Sequence, residues 1–320
     1  MTLDKPFNMK QVMNQKVKVC NFGSINIDHV YSVEHFVRPG ETLNSISYSV
    51  FAGGKGFNQS IALAHAGVHV FHAGKIGAKD TWLIERLKKI GVDTTFIESS
   101  DSTTGHAVIQ VTPSGDNAIF LFGGANKEID HNLARERLSH FSRGDYLLVQ
   151  NEISAISDII SIAHSRKMTI VFNPAPMNED VFSYPLDAVD IFIVNEVEGA
   201  QLTKKTFPDD IIASMKESYP HAAIVLTLGE NGVMYADDKQ TLHVPAYDVT
   251  PVDTTAAGDT FIGFFVGALI HGATPHNALA IGCKASALCI TKKGAADSIP
   301  NMNETETVKL ETRAQNHDRM

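Results

Sequence analysis

Six short apolar runs, each closed by Gly, Asn or Pro, limit the fold of this chain more than any other feature. They read VKVCNFGSI near the start, then VHVFHAGKIG, DYLLVQNE, MTIVFNPAP, DIFIVNE and AAIVLTLG. Most are rich in Val, Ile and Leu, without clean alternation of polar and apolar residues. Strands buried on both faces read this way, because helices cover a parallel sheet from either side. Helical segments lie between the runs: GFNQSIALAHAG, TWLIERLKKIG, ISDIISIAHSRK and DDIIASMKESY. This strand, helix, strand rhythm predicts an α/β fold, a doubly wound and mostly parallel sheet flanked by helices. Ligands of such sheets sit at the carboxyl ends of the strands. Polar punctuation follows the runs there: NID, NE, NPAP, NEVE and LGENG.

Two regions break the rhythm. Residues 29–54 and 104–124 read as extended strands, the second a hairpin around Ser114, Gly115, Asp116 and Asn117. Together they predict a small separate β-sheet, a lid or a dimer surface. Such a sheet leaves edges and an apolar face open, which favours a homodimer through the lid.

Composition removes several classes of function. The chain has 320 residues, 43% of them hydrophobic, and a formal net charge of −9. That content supports one large domain with an appendage, and the acidic balance argues against a nucleic-acid partner. Cys20, Cys283 and Cys289 show no CxxC spacing and read as small buried residues. The N-terminal segment lacks the apolar core of a signal peptide, and the longest apolar run, Phe261 to Ile270, is too short to span a bilayer. The expectation is a cytoplasmic chain without membrane contact, with polar extensions at 1–15 and 301–320. The last twenty residues read as a polar helix or a frayed tail.

Four sites carry candidate chemistry. FAGGKGFNQS (51–60) places Gly53, Gly54 and Gly56 before a helix and offers Lys55 and Asn58 to hydroxyls. It matches neither GxxxxGK[ST] nor GxGxxG, and a tight turn with a solvent lysine is the competing reading. In GSINIDH, Asn26 and Asp28 share one face of an extended segment and suit a vicinal diol, although loop polarity alone also explains them. Glu152, Asn195, Glu196, Glu198, Thr227, Gly229 and Gly232 sit at strand ends. In DTTAAGDTF, the small residues Ala256, Ala257 and Gly258 expose the N–H groups of a helix start to an anion. Asp259 then acts either as a base beside that anion or as the N-cap of an apolar helix; local sequence permits both. His65, His69 and His72 do not gather a metal, because Gly67 ends the helical pattern between them.

With these motifs in order, joined by PGET and TKKGAADSIP, the chain resembles the ribokinase family of carbohydrate kinases over 16–300. The resemblance implies ATP-dependent phosphorylation of a sugar CH2OH with Mg2+. The implied acceptor is D-ribose at its 5-hydroxyl, with fructose, 2-keto-3-deoxygluconate or a nucleoside as alternatives and a non-catalytic sugar-binding regulator as a remoter one. Asp259 matches the catalytic base and Ala256, Ala257 and Gly258 the anion hole. Asn26, Asp28, Gly54, Lys55, Asn58 and Glu152 match sugar-binding positions, and Ala107, Ile109 and Leu121 match apolar lid positions. Asn195, Thr227, Gly229, Glu230, Gly232, Gly258 and Cys283 match nucleotide positions, and Glu198 matches the acid linked to Mg2+ and phosphate. Asp253, Thr255, Cys289, Lys292, Gly294 and Ser298 match a monovalent-cation loop, with K+ the implied ion. Ala256 stands where the family often has Gly, Ile262 where many members have Asn, and Cys283 where Asn or His often lines the adenine pocket. Phe57 is larger than usual beside the sugar loop and is expected to reshape that pocket.

Overall fold

The computed structural model describes residues 17–313. The extension expected at 1–15, and the final part of the one at 301–320, lie outside the described residues. Thirteen strands form: β1 Lys18–Phe22, β2 Asn26–Ser32, β3 Ser47–Gly53, β4 His69–Gly77, β5 Asp93–Ser100, β6 Gly105–Val111 and β7 Asn117–Phe122, then β8 Tyr146–Gln150, β9 Thr169–Asn173, β10 Ile191–Asn195, β11 Ala223–Thr227, β12 Val233–Ala236 and β13 Thr241–Val244. Helices follow as α1 Lys55–His65, α2 Trp82–Ile90, α3 His131–Leu138, α4 Ile156–Ser165, α5 Glu196–Thr203, α6 Pro208–Ser218, α7 Ala257–Ile270, α8 Pro275–Ile290 and α9 Met302–Thr307.

The body is a nine-stranded sheet in the order β13-β12-β11-β10-β9-β8-β1-β4-β5. From β11 to β5 all pairings are parallel; β12 and β13 extend it antiparallel. The six apolar runs become β1, β4, β8, β9, β10 and β11, and two hydrophobic clusters fill the two sides of the sheet. Within β1, Val19 belongs to one cluster and Cys20 and Phe22 to the other, as the two-residue period of a strand requires. The antiparallel edge and α8 carry no signal in the six runs.

α7 is apolar nearly all round, and ten of its residues are buried. Such a helix has neighbours on several sides, here α1 and α8. Gly263 is what lets α1 approach: a Cβ there would lie 2.3 Å from Ala62 Cβ. This contact fixes the start of α7 against the start of α1.

The lid is a four-stranded sheet in the order β3-β2-β6-β7. Asn26 and Asp28 lie two apart on β2, so they do share a face. Ala107 pairs with Asp28 on one side and Leu121 on the other, and Ile109 pairs with Val30 and Ile119. Ile119, Phe120, Leu121 and Phe122 are consecutive and each more than half exposed, so both faces of the lid carry open apolar side chains. Among the described residues no helix is long and apolar enough to cross a membrane.

The tail is ordered as far as it is described. α9 forms, capped by Asn301, and the chain then returns to bridge Thr312 to Tyr247. Phe57 corrects an expectation: it is fully buried in the core and lines no cavity described here. Its bulk is taken up by packing rather than by the pocket. His72 is also fully buried, with its Nδ1 against Ser60 Oγ.

Candidate active site

The start of α7 opens onto two adjoining cavities. Ala256, the residue before the helix, has φ 62° and ψ 7°. That left-handed conformation is costly for alanine and free for glycine, which gives the family's usual glycine a physical reason. No side chain caps the helix. The N-cap reading of Asp259 is thereby corrected: Asp259 is the third residue of the helix, one turn inside the position a cap occupies. Gly258 faces open space, with nothing within 4 Å of where a Cβ would stand. Bare N–H groups, the positive end of the helix dipole and empty room form an anion cradle.

Asp259 is buried, and both its oxygens are engaged by amides of α1. Asn58 Nδ2 donates to Oδ2 at 3.0 Å, and Gln59 Nε2 donates to Oδ1 at 2.8 Å. The spacing of α1 and α7 set by Gly263 makes this contact across 200 residues of chain.

The residues expected to face a sugar gather where the lid meets the body. Lys55 N and Ser24 Oγ both donate to Glu152 Oε2. Gly53, paired with Asn26 across β2 and β3, leaves room for the Asp28 carboxylate, which a Cβ would strike. Gly54 adopts φ 94° against the Asn26 backbone. Burial pushes the Asp28 carboxyl up to about 6, and the Glu152 charge adds to it. Burial alone would lower Lys55, but Asp259, Glu152 and Glu198 around it raise it overall. Lys55 thus stays charged between three carboxylates. Of the lid positions, Ala107 is buried beside Asp28, whereas Leu121 is exposed.

The residues expected to face a nucleotide divide between the cavities. A cavity of about 340 Å3 is lined by Thr227, Gly229, Glu230, Gly232 and Cys283, and reaches Ala257 and Gly258. A smaller one of about 250 Å3 holds Lys55, Asn195, Glu198, Asp259 and Ile262. The two share Thr227, Thr254, Ala257 and Gly258, so they form one continuous groove. Asn195 and Glu198 form a reciprocal capping box at the start of α5, Asn195 Oδ1 accepting from Glu198 N and Glu198 Oε2 from Asn195 N. Burial raises Glu198, and Asp259 adds to this against the pull of the Asn195 N–H and Lys55.

Several residues expected to form a cation loop lie together. Asp253 accepts from Thr255 N and Gly294 N, and Cys289 Sγ lies 3.0 Å from Ser298 Oγ and 3.8 Å from the Thr255 carbonyl. Lys292 is turned away: its ammonium pairs with Glu304.

Sequence reasoning missed several residues. Asn126 binds the Ile25 backbone and donates to Asn26 Oδ1, orienting that amide. Arg313 pairs with Glu230 and walls the larger cavity with Tyr247, Val249 and Pro251. None of these has a local motif; Asn126 reaches Asn26 across 100 residues of chain and Arg313 reaches Glu230 across 83.

Comparison with known proteins agrees with this geometry. A profile of the pfkB family carbohydrate kinases matches residues 16–302. The chain belongs to that family. The ribokinase of Haemophilus influenzae is 37% identical over 292 residues, covering 88% of this chain and 95% of its own length. The solved ribokinase of Cryptococcus neoformans in complex with ADP is 32% identical with a TM-score of 0.79, covering 91% of this chain and 99% of its own. The Arabidopsis thaliana ribokinase complexed with ribose and ATP is 25% identical with a TM-score of 0.79, covering 91% and 97%. Open α/β sheets bind ligands at the carboxyl ends of their strands, and here Glu198, Asp259 and the start of α7 line one cavity with the ends of β9, β10 and β11.

Proposed function

We propose that this kinase transfers the γ-phosphoryl group of ATP to the 5-hydroxyl of D-ribose. The observation that carries the reading is Asp259: one buried carboxylate stands at the mouth of the α7 cradle and in contact with Asn58 of the sugar set. The nucleotide lies along the groove, its base in the larger cavity and its phosphates toward Gly258. Asn26, Asp28, Lys55, Asn58 and Glu152 hold the sugar hydroxyls and leave one CH2OH directed at the phosphate. Asp259 accepts the proton as that oxygen attacks. The N–H groups at Ala257 and Gly258 meet the charge on the transferring group. Ala107 and its lid neighbours exclude water, the competing acceptor.

Two cations fit the residues present. Among the described residues no group of three or more His, Cys, Asp or Glu could hold a metal ion. Mg2+ is bound in kinases through few carboxylates plus phosphate and water, and Glu198, which lines the smaller cavity, is the acid that would hold it. Bound Mg2+ supplies charge neutralisation on the phosphates. The loops around Thr255 and Gly294, tied by Asp253, offer carbonyl oxygens of the kind K+ takes. Rates higher in K+ than in matched Na+ or choline are the expected outcome; equal rates in all three remove the ion from the reaction. The open lid faces support a homodimer, and three free buried cysteines support a cytoplasmic location.

The deciding experiment is an acceptor panel with ATP and Mg2+, read as ADP formation. Ribose is expected to show the highest kcat/KM against 2-deoxyribose, fructose, 2-keto-3-deoxygluconate and nucleosides. A higher value for any of these overturns the acceptor. Ligand binding without turnover would revive the regulator reading.

A further inference from the structure

The second amide on Asp259 belongs to a residue outside the proposed substrate set. Gln59 is fully buried and lines neither cavity, yet its Nε2 lies 2.8 Å from Asp259 Oδ1. Behind it runs a chain of polar side chains through the core. Gln150 Nε2 donates to Gln59 Oε1 at 2.7 Å and to Asn21 Oδ1 at 2.8 Å. Asn21 Nδ2 donates to the Gly56 carbonyl and to Ser60 Oγ, each at 2.7 Å, and Ser60 Oγ meets His72 Nδ1 at 2.8 Å. All five side chains are inaccessible to solvent.

Burying five polar side chains is costly unless each is bonded, and apolar side chains of similar size would fill the same space at lower cost. The network has a directional consequence that packing alone lacks. An amide has one accepting end and one donating end. Because Gln150 donates to Gln59 Oε1, the NH2 end of Gln59 must face Asp259. The reversed amide would set Oε1 against a carboxylate and leave the Gln150 N–H facing another N–H.

We propose that Gln59 is a positioning residue for the base. It holds Asp259 Oδ1, through an amide whose own direction is set by Gln150 and Asn21, so that the carboxylate presents its remaining lone pairs to the acceptor hydroxyl. The inference rests on Asp259 being the base. The other titratable groups facing Asp259 are Lys55 at the start of α1, Glu198 on α5 and Cys289 on α8. His72, at the far end of the network, is held down to about 4 by burial and is neutral at neutral pH.

The test compares Gln59→Met, Gln59→Glu, Gln150→Met and Asp259→Asn with wild type, reading kcat and both KM values across about pH 5 to 9. Loss of a hydrogen bond to the charged form disfavours ionisation, so Gln59→Met is expected to move the acid limb of kcat up by about one pH unit. Its kcat at neutral pH falls about 10- to 100-fold, with both KM values within about threefold and part of the rate recovered at high pH. Gln59→Glu, which sets a second carboxylate against the first, moves the limb further. Gln150→Met, which frees the Gln59 amide to turn, moves it the same way by less and keeps the inference testable if the Gln59 variants fail to fold. An unmoved acid limb in the folded variants, with loss confined to stability or to KM, overturns the inference. Should Asp259→Asn keep its rate, the base assignment itself fails. Should it lose rate while Gln59→Met leaves the limb in place, only the positioning role fails.

Discussion

In the body, Val19, Leu148 and Val225 fill one side of the sheet and Cys20, Leu147 and Leu226 the other, all fully buried. In the lid, the consecutive residues Ile119 to Phe122 stand open to solvent on both faces. The two sheets have similar apolar content and opposite burial because helices cover the first and, among the described residues, leave β7 of the second exposed. The difference teaches where each can place chemistry. The proposed base needs a fixed orientation, and the Asp259 carboxylate has one through Asn58 and Gln59, where α1 and α7 pack together. Substrate enclosure needs a surface that is completed only when something binds.

The predictions test that contrast, beginning with the largest effect. Asp259→Asn should lower kcat about 10²- to 10⁴-fold with the fold intact. A rate within a few-fold of wild type would take the base out of the body. Next, Gly263→Ala forces a Cβ into Ala62 and should cost about 1–3 kcal/mol in urea unfolding, the usual effect of overpacking a core. Phe120→Asp, in the lid, should leave that unfolding midpoint nearly unchanged. Its effect should appear in sedimentation instead, as a dimer dissociation constant raised about thirtyfold, in the range of an interface hot spot. A Phe120 variant that unfolds as easily as Gly263→Ala would erase the distinction between the sheets.

The smallest effect belongs to Asp28, where lid and body meet. Its carboxyl titrates at about 6 when folded, against 3.8 as the ordinary value. The folded chain therefore binds more protons than the unfolded chain between these values, and this group lowers stability as pH rises through that window. Asp28→Asn removes the effect. It should raise Tm by a few degrees above pH 6, with no gain below about pH 4, while ribose binding weakens. In the wild type, the ribose KM should rise as pH falls below about 6, because the protonated acid loses acceptor capacity. A Tm difference independent of pH would show that Asp28 is not the group titrating.

Local pattern carried most of the body. Short unalternating apolar runs bounded by turn residues read as strands covered twice, so β1, β4 and β8 to β11 were legible, as were the hairpin of β6 and β7 and the four named helices. Motif order carried the family and most of the site. The rest was illegible for one reason: it depends on residues far apart in the chain. Gln59 is one residue beyond a recognised motif residue, yet its partners are Asp259 and Gln150. Arg313 sits in a polar tail that gives no sign of returning to Tyr247 and Glu230. Phe57 misled because size is visible in a sequence and direction is not.

The order of DTTAAGDTF and the apolar run after it sufficed for a buried helix with a bare start, since those properties arise from neighbours along the chain. Whether Asp259 capped that helix or stood inside it with its carboxylate turned to α1 depended on φ at Ala256 and on how closely α1 lies against α7. Those are properties of backbone and packing that no local pattern encodes, and the fold resolved them by bringing Asn58 and Gln59 to the carboxylate.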